Sequence, residues 1–255
     1  GNTTSSGGGA IYAGNGAALS ISKSTLSSNL AGGRGGAIHW VGGTTNNFTI
    51  SQSTLSDNTT TGTNGGGGAI FASPAKLSID QSTISGNDHT APAYGGGGIY
   101  AVGGAGTSLV ITNSTISGNT TSAVFGTGGG GGGIYTYLVP AVFEITNTTI
   151  SGNSAPFGGG ISIAATAGTL VLTNSKILDN IASTTGGGLF SNASSGTVIN
   201  IVNSTFAGNS AISGGGIGLT TNTANVTITS STLNDNTATG DGGGIFVNAG
   251  INSIV

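Results

Sequence analysis

Seven carboxylates and two imidazoles are what this sequence offers for acid–base or hard-metal chemistry. They are Asp57, Asp80, Asp88, Glu144, Asp179, Asp235 and Asp241, with His39 and His89. Glycoside hydrolysis needs two carboxylates about 5–9.5 Å apart, and a hard cation needs several converging oxygens. These acids occur singly. Asp57, Asp179 and Asp235 each stand just before an Asn, where Gly or Ser stands in equivalent places, and read as turn residues. Asp80 and Asp88 flank the segment Ser82-Thr83-Ile84, which is expected to hold them apart. Neither His39 nor His89 has an acidic or nucleophilic partner at a recognisable spacing. Only Asp241 precedes a glycine run, so the Asp-bearing calcium repeat is missing. No Lys or acidic partner follows the glycine runs in the way a phosphate-cradling loop requires. With no Cys, thiolate and disulfide chemistry are excluded. The expectation is no catalytic residue, no metal and no cofactor.

The chemistry that does recur is neutral, polar and periodic. An Asn returns at Asn29, Asn58, Asn87, Asn119, Asn153, Asn180, Asn209 and Asn236. Asn accepts left-handed backbone angles at turns, and its amide can bond the same amide in a stacked neighbour, so the column reads as a structural ladder at a corner. A Thr column runs through Thr25, Thr54, Thr83, Thr115 and Thr149, is interrupted by Lys176, and resumes at Thr205 and Thr232. Two residues further on stand Ser27, Ser56, Ser85, Ser117 and Ser151, then Leu178, Ala207 and Asn234. An aromatic row follows the glycine runs: Tyr12, Phe71, Tyr100, Tyr135, Phe190 and Phe246, with His39, Ser162 and Gly218 read as breaks. Stacked aromatics support neighbouring strands; exposed, the row would bind sugar rings or another molecule. Longer inserts with Tyr94, Phe125 and Tyr137 are the expected recognition loops.

The elements that must carry these columns follow from the same repeat. The aliphatic residue after each glycine run falls at Ile11, Ile38, Ile70, Ile99, Ile134, Ile161, Leu189, Ile217 and Ile245, a period of about 29 residues. Within a repeat, Leu77-Ser78-Ile79-Asp80 and Ser82-Thr83-Ile84-Ser85 alternate apolar and polar, the signature of strands. The segments are too short and too rich in Gly and β-branched residues for helices. The prediction is an all-β, right-handed parallel β-helix of about nine coils, three short strands to a coil. Four inward apolar columns, typified by Ile70, Leu77, Ile79 and Ile84, should form its core. The repeat runs through residues 1–255 without a change of character and shows no cap at either end. It reads as one solenoid domain, a mature chain or a segment of a larger protein, continued by more of the same chain or by another copy stacked head to tail.

Only 4% of the residues are charged, against roughly 25% in ordinary domains. The four basic residues Lys23, Arg34, Lys76 and Lys176 cannot form a nucleic-acid surface, and no apolar run reaches the ~18 residues of a spanning helix.

Three repeats contain Gly-Gly-Ala-Ile, at Gly8–Ile11, Gly35–Ile38 and Gly67–Ile70, and one contains Phe-x-x-Asn, Phe206–Asn209. These paired motifs resemble the passenger repeats of the chlamydial polymorphic outer-membrane proteins and a wider set of bacterial right-handed β-helix surface proteins. The resemblance implies an extracellular or cell-surface, adhesin-like structural protein with surface glycans or cell-surface proteins as partners. The Thr-x-Ser lattice is similar to the Thr arrays of β-helical antifreeze proteins, which implies an alternative ice- or glycan-binding role. A polysaccharide-acting enzyme is the third and least supported reading.

Overall fold

The computed structural model describes all residues except 15, 44, 75, 105, 125–128, 139–140, 165–167, 194–195, 221–224, 249–252 and 255. Phe125, one of the predicted recognition aromatics, lies outside the described residues. Three nine-stranded sheets, one eight-stranded sheet and one three-stranded sheet run along the molecule. All the pairings within them are parallel, each strand pairing with its counterpart one repeat away, as in Leu77↔Phe48 and Leu77↔Leu109. The chain is thus a β-solenoid, as its period requires.

One coil shows how the sequence makes this path. Lys76–Asp80 enters the first sheet with Leu77 and Ile79 inward. Gln81 then turns the chain through a left-handed φ of 47°. Thr83–Ser85 forms the second sheet with Ile84 inward, and Gly86, at φ 64°, turns the next corner. After Asn87 the pair Asp88–His89 forms a third sheet. The glycine arm Gly95–Gly96 and the strand Ile99–Gly103 complete the turn. The coil therefore has five strands against the predicted three. The two additional ones, Asp88–His89 and Gly95–Gly96, are two residues long, too short for a period-two pattern to declare itself.

The four predicted apolar columns line one continuous buried core, in which Ile70, Leu77, Ile79, Ile84 and their counterparts are almost fully removed from water. Trp40 joins it, its ring 5.6 Å from Phe48 and its Nε1–H donating to the Ala17 carbonyl at 2.8 Å. The glycines preceding the Ile column are sites of close backbone approach: a Cβ on Gly97 would run into the carbonyl oxygen of Gly132, one coil on. Gly is the residue that permits this contact.

Candidate functional site: ladders, lattice and a tyrosine cavity

The Asn column is a ladder of paired bonds. The backbone N–H of Asn87 donates to Asn119 Oδ1 at 3.0 Å and its Nδ2 donates to the same oxygen at 2.8 Å. Asn87 Nδ2 also donates to the Leu55 carbonyl at 3.0 Å. The same pattern joins Asn29 to Asn58 and continues to Asn236. Asn2 belongs to the ladder too, donating from N–H and Nδ2 to Asn29 Oδ1. Six of the predicted members, from Asn58 to Asn209, are fully buried. The expected left-handed backbone falls elsewhere: positive φ belongs to the residue before each Asn, such as Ser28, Asp57, Gly86 or Asp179. The Asn is present for its amide.

A second ladder escaped the sequence reading. Ser53 N–H donates to Ser82 Oγ, and Ser82 N–H to Ser114 Oγ, each at 3.1 Å. Each hydroxyl in turn donates to the carbonyl two residues back, as from Ser82 to Asp80 at 2.7 Å. Ser24, Ser175, Ser204 and Ser231 serve alike, with Thr148 in the place of Ser. The signal was available: this Ser precedes every member of the Thr column except Thr149, where Thr148 stands instead.

The Thr and Ser columns lie in register on one sheet. Thr25, Thr54, Thr83, Thr115 and Thr149 pair in succession, as do Ser27, Ser56, Ser85, Ser117 and Ser151. Thr25 and Ser27 are exposed and the other eight half-buried, so the lattice faces outward.

The predicted acids stay apart. Asp80 and Asp88 sit on different sheets, with the Thr83–Ser85 strand between them. Thr112 and Asn113 donate to Asp80 Oδ1 at 2.6 and 2.9 Å and hold that carboxyl below its ordinary range. Thr120 donates to Asp88 Oδ1 at 2.7 Å. Among the described residues no three His, Asp or Glu side chains come close enough to share a metal ion.

The aromatic row is in register but not a surface. Phe71, Tyr100 and Tyr135 form a buried cluster outside the main core, beneath the glycine arms, and Phe190, also buried, packs against Phe157 at 5.1 Å. Gly65, for example, lies over the edge of the Tyr100 ring. The exposed member is Tyr12, in the first coil, at 62%. His39, read as a break, continues the row: its ring is edge-on to Tyr12 at 5.1 Å and to Phe71 at 5.0 Å. Arg34 lies over the Phe71 ring, 4.7 Å from its centre. Burial, with the Arg34 charge, lowers the His39 pKa to about 4. His89, also buried, places Nδ1 3.0 Å from Thr121 Oγ1; burial lowers its pKa against the opposing pull of the Gly62 carbonyl and Asp88.

Where the row meets the inserts, Tyr94, Tyr100, Tyr135 and Tyr137 enclose a cavity of about 270 Å³. Tyr100 and Tyr135 belong to adjacent paired strands, 4.9 Å between ring centres. Tyr94 lies parallel to Tyr135 at 6.4 Å. Tyr94 and Tyr137 form the rim, 40% and 47% exposed. Tyr94 and Tyr137, expected in the recognition loops with Phe125, stand against two members of the buried row.

The family described as the right-handed β-helix region matches residues 1–177 and again residues 78–255. No curated protein and no solved structure matches the chain.

Proposed function

The chain belongs to the right-handed β-helix family, and on that premise we propose that it is a structural and adhesive solenoid of the bacterial exterior, not an enzyme, which lengthens by accepting a further coil at its ends. The observation that carries this is the polarity of the two end faces. Core residues that are buried in inner coils become half-buried at Ile11, Leu19 and Leu26 on one face and at Ile228, Leu233 and Ile245 on the other. The Asn ladder is directional as well. Among the described residues, Asn236 N–H has no next Oδ1 to donate to, and Asn2 Oδ1 receives no preceding pair. One face offers donors and apolar surface; the other offers the matching acceptor and apolar surface. Such a contact is heterologous and propagates. A second copy or more of the same chain supplies the same groups. A charge-poor surface of Ser, Thr, Asn and Gly suits lateral contact with neutral glycans or neighbouring cell-surface proteins.

Sedimentation of the purified chain over a range of concentrations tests the joint. Head-to-tail oligomers are expected, and Leu233→Lys, which places a charge on one end face, should abolish them. A monomer at every concentration rules out joining between copies.

The in-register Thr-x-Ser lattice supports a second reading, a flat face for ice. Strands in a sheet repeat every ~4.8 Å, so five coils present a regular two-column array of hydroxyls. Thermal hysteresis at high protein concentration, lost on Thr83→Lys, is the expected outcome of that reading. Unaltered ice growth removes it.

A further inference from the structure

We propose that the cavity walled by Tyr94, Tyr100, Tyr135 and Tyr137 is a binding site for one pyranose ring of a neutral glycan. The repeat does not need this cavity. Tyr100 and Tyr135 occupy a repeat column; Tyr137 extends the same strand, paired with Val102 of the neighbouring coil, and Tyr94 comes from the longer segment between Asn87 and Ile99. The strand carrying Tyr100, Ile99–Gly103, and the strand carrying Tyr135 and Tyr137, Ile134–Leu138, are five residues long, against three at Ile161–Ile163, Leu189–Ser191 and Ile217–Leu219. The lengthening brings Tyr137 to the rim. Leaving two large aromatic rings exposed beside two buried ones is not what stacking of coils requires; a concave, mostly apolar site with a few hydroxyls is what a small ligand requires.

Size and charge narrow the ligand. A cavity of about 270 Å³ is of a size to seat one six-membered sugar ring with its substituents. Aromatic faces pack against the C–H faces of a sugar while phenols bond its hydroxyls. Burial pushes the Tyr100 hydroxyl up to about 12 and raises that of Tyr135 further, so both remain protonated at any ordinary pH. A cage of aromatic rings also suits a quaternary ammonium. Here a fixed cation stands nearby: the Arg34 guanidinium lies over Phe71, whose ring is 5.4 Å from that of Tyr100. A cationic guest is therefore disfavoured and a neutral ring preferred. The site is independent of end-to-end joining, because it lies on the flank of inner coils.

Titration calorimetry on the full chain tests it. The probes are neutral tetrasaccharides of glucose, galactose, mannose and N-acetylglucosamine, with choline and a galacturonate tetramer as charged controls. Saturable binding of at least one neutral probe is expected, weakened at least tenfold by Tyr94→Ala and by Tyr137→Ala. Both residues sit on the rim, so the variants should keep the far-ultraviolet spectrum and melting temperature of the parent. Galactose- or mannose-type selectivity would identify the glycan and support the proposal equally. No saturable binding of any neutral probe up to about 10 mM, a range reaching the weakest useful affinities, overturns it. So does neutral binding that both rim variants leave unchanged, or tighter binding of choline or the galacturonate than of every neutral probe.

Discussion

Asn119 uses each hydrogen-bonding group of its side chain where water does not reach. Its Oδ1 accepts twice from Asn87, and its Nδ2 donates to the Ile84 carbonyl at 3.0 Å and to Asn153 Oδ1 at 2.9 Å. Asn119→Ala strands the Asn87 N–H inside the molecule and removes the amide bonds to the Ile84 carbonyl and to Asn153. At ~1–3 kcal/mol for a buried unsatisfied group, the expected loss is about 1–3 kcal/mol, read as a shift in the urea midpoint. Asn119→Asp keeps the acceptor, removes both donors and buries a charge; it should be at least as damaging. The column itself was legible because nothing but Asn stands in it. Its mechanism was half legible: Asn carries both a turn propensity and an amide, and the sequence does not say which is in use. The φ values assign the turn to its neighbour. The Ser ladder was overlooked for a related reason, since Ser suits so many surroundings that its recurrence passed as surface composition.

On the scale of a sheet and the arm that covers it, the aromatic row shows what periodicity cannot convey. The alternation of Ile99 and Tyr100 places Tyr100 on the face opposite the core, and it is there. Whether that face is wet depends on the glycine arm folding back over it, and a run of glycines has no side-chain pattern to announce its path. His39 follows from the same geometry. Its ring continues the row beneath the arm, and among the described residues neither nitrogen finds a hydrogen-bond partner. Burial and Arg34 therefore favour the neutral ring, with a folded pKa near 4 against 6.5 in the unfolded chain. Between those values the unfolded chain binds more protons than the folded one, so stability rises with pH. The contribution is complete above pH 6.5 and is lost as the pH falls toward 4; the lowered pKa of His89 acts in the same direction. Thermal melts should show a lower midpoint at pH 4.5 than at pH 7.5. His39→Phe keeps the edge-on packing between Tyr12 and Phe71 and removes one of the two titrating rings. It should flatten the dependence, leaving the share of His89.

For the whole molecule, the period of about 29 residues carried the architecture, since one coil cannot bury its own core and must stack. The columns named the core and the registers. The tyrosine cavity was only partly readable, because it joins Tyr94, from a longer segment that obeys no period, and Tyr137, at a strand position that is aromatic in no other coil, to members of the row. The parallel sheets have a mechanical consequence. Hydrogen bonds between coils run along the long axis, so a pull on the two ends loads them in tension, one coil's worth at a time, whereas a sideways load is shared among sheets. A column built this way is stiff against bending and yields to stretching by peeling. Each coil released adds about 100 Å of slack, from ~29 residues at roughly 3.5 Å each. On a surface under shear it would lengthen stepwise before it broke, dissipating the load coil by coil.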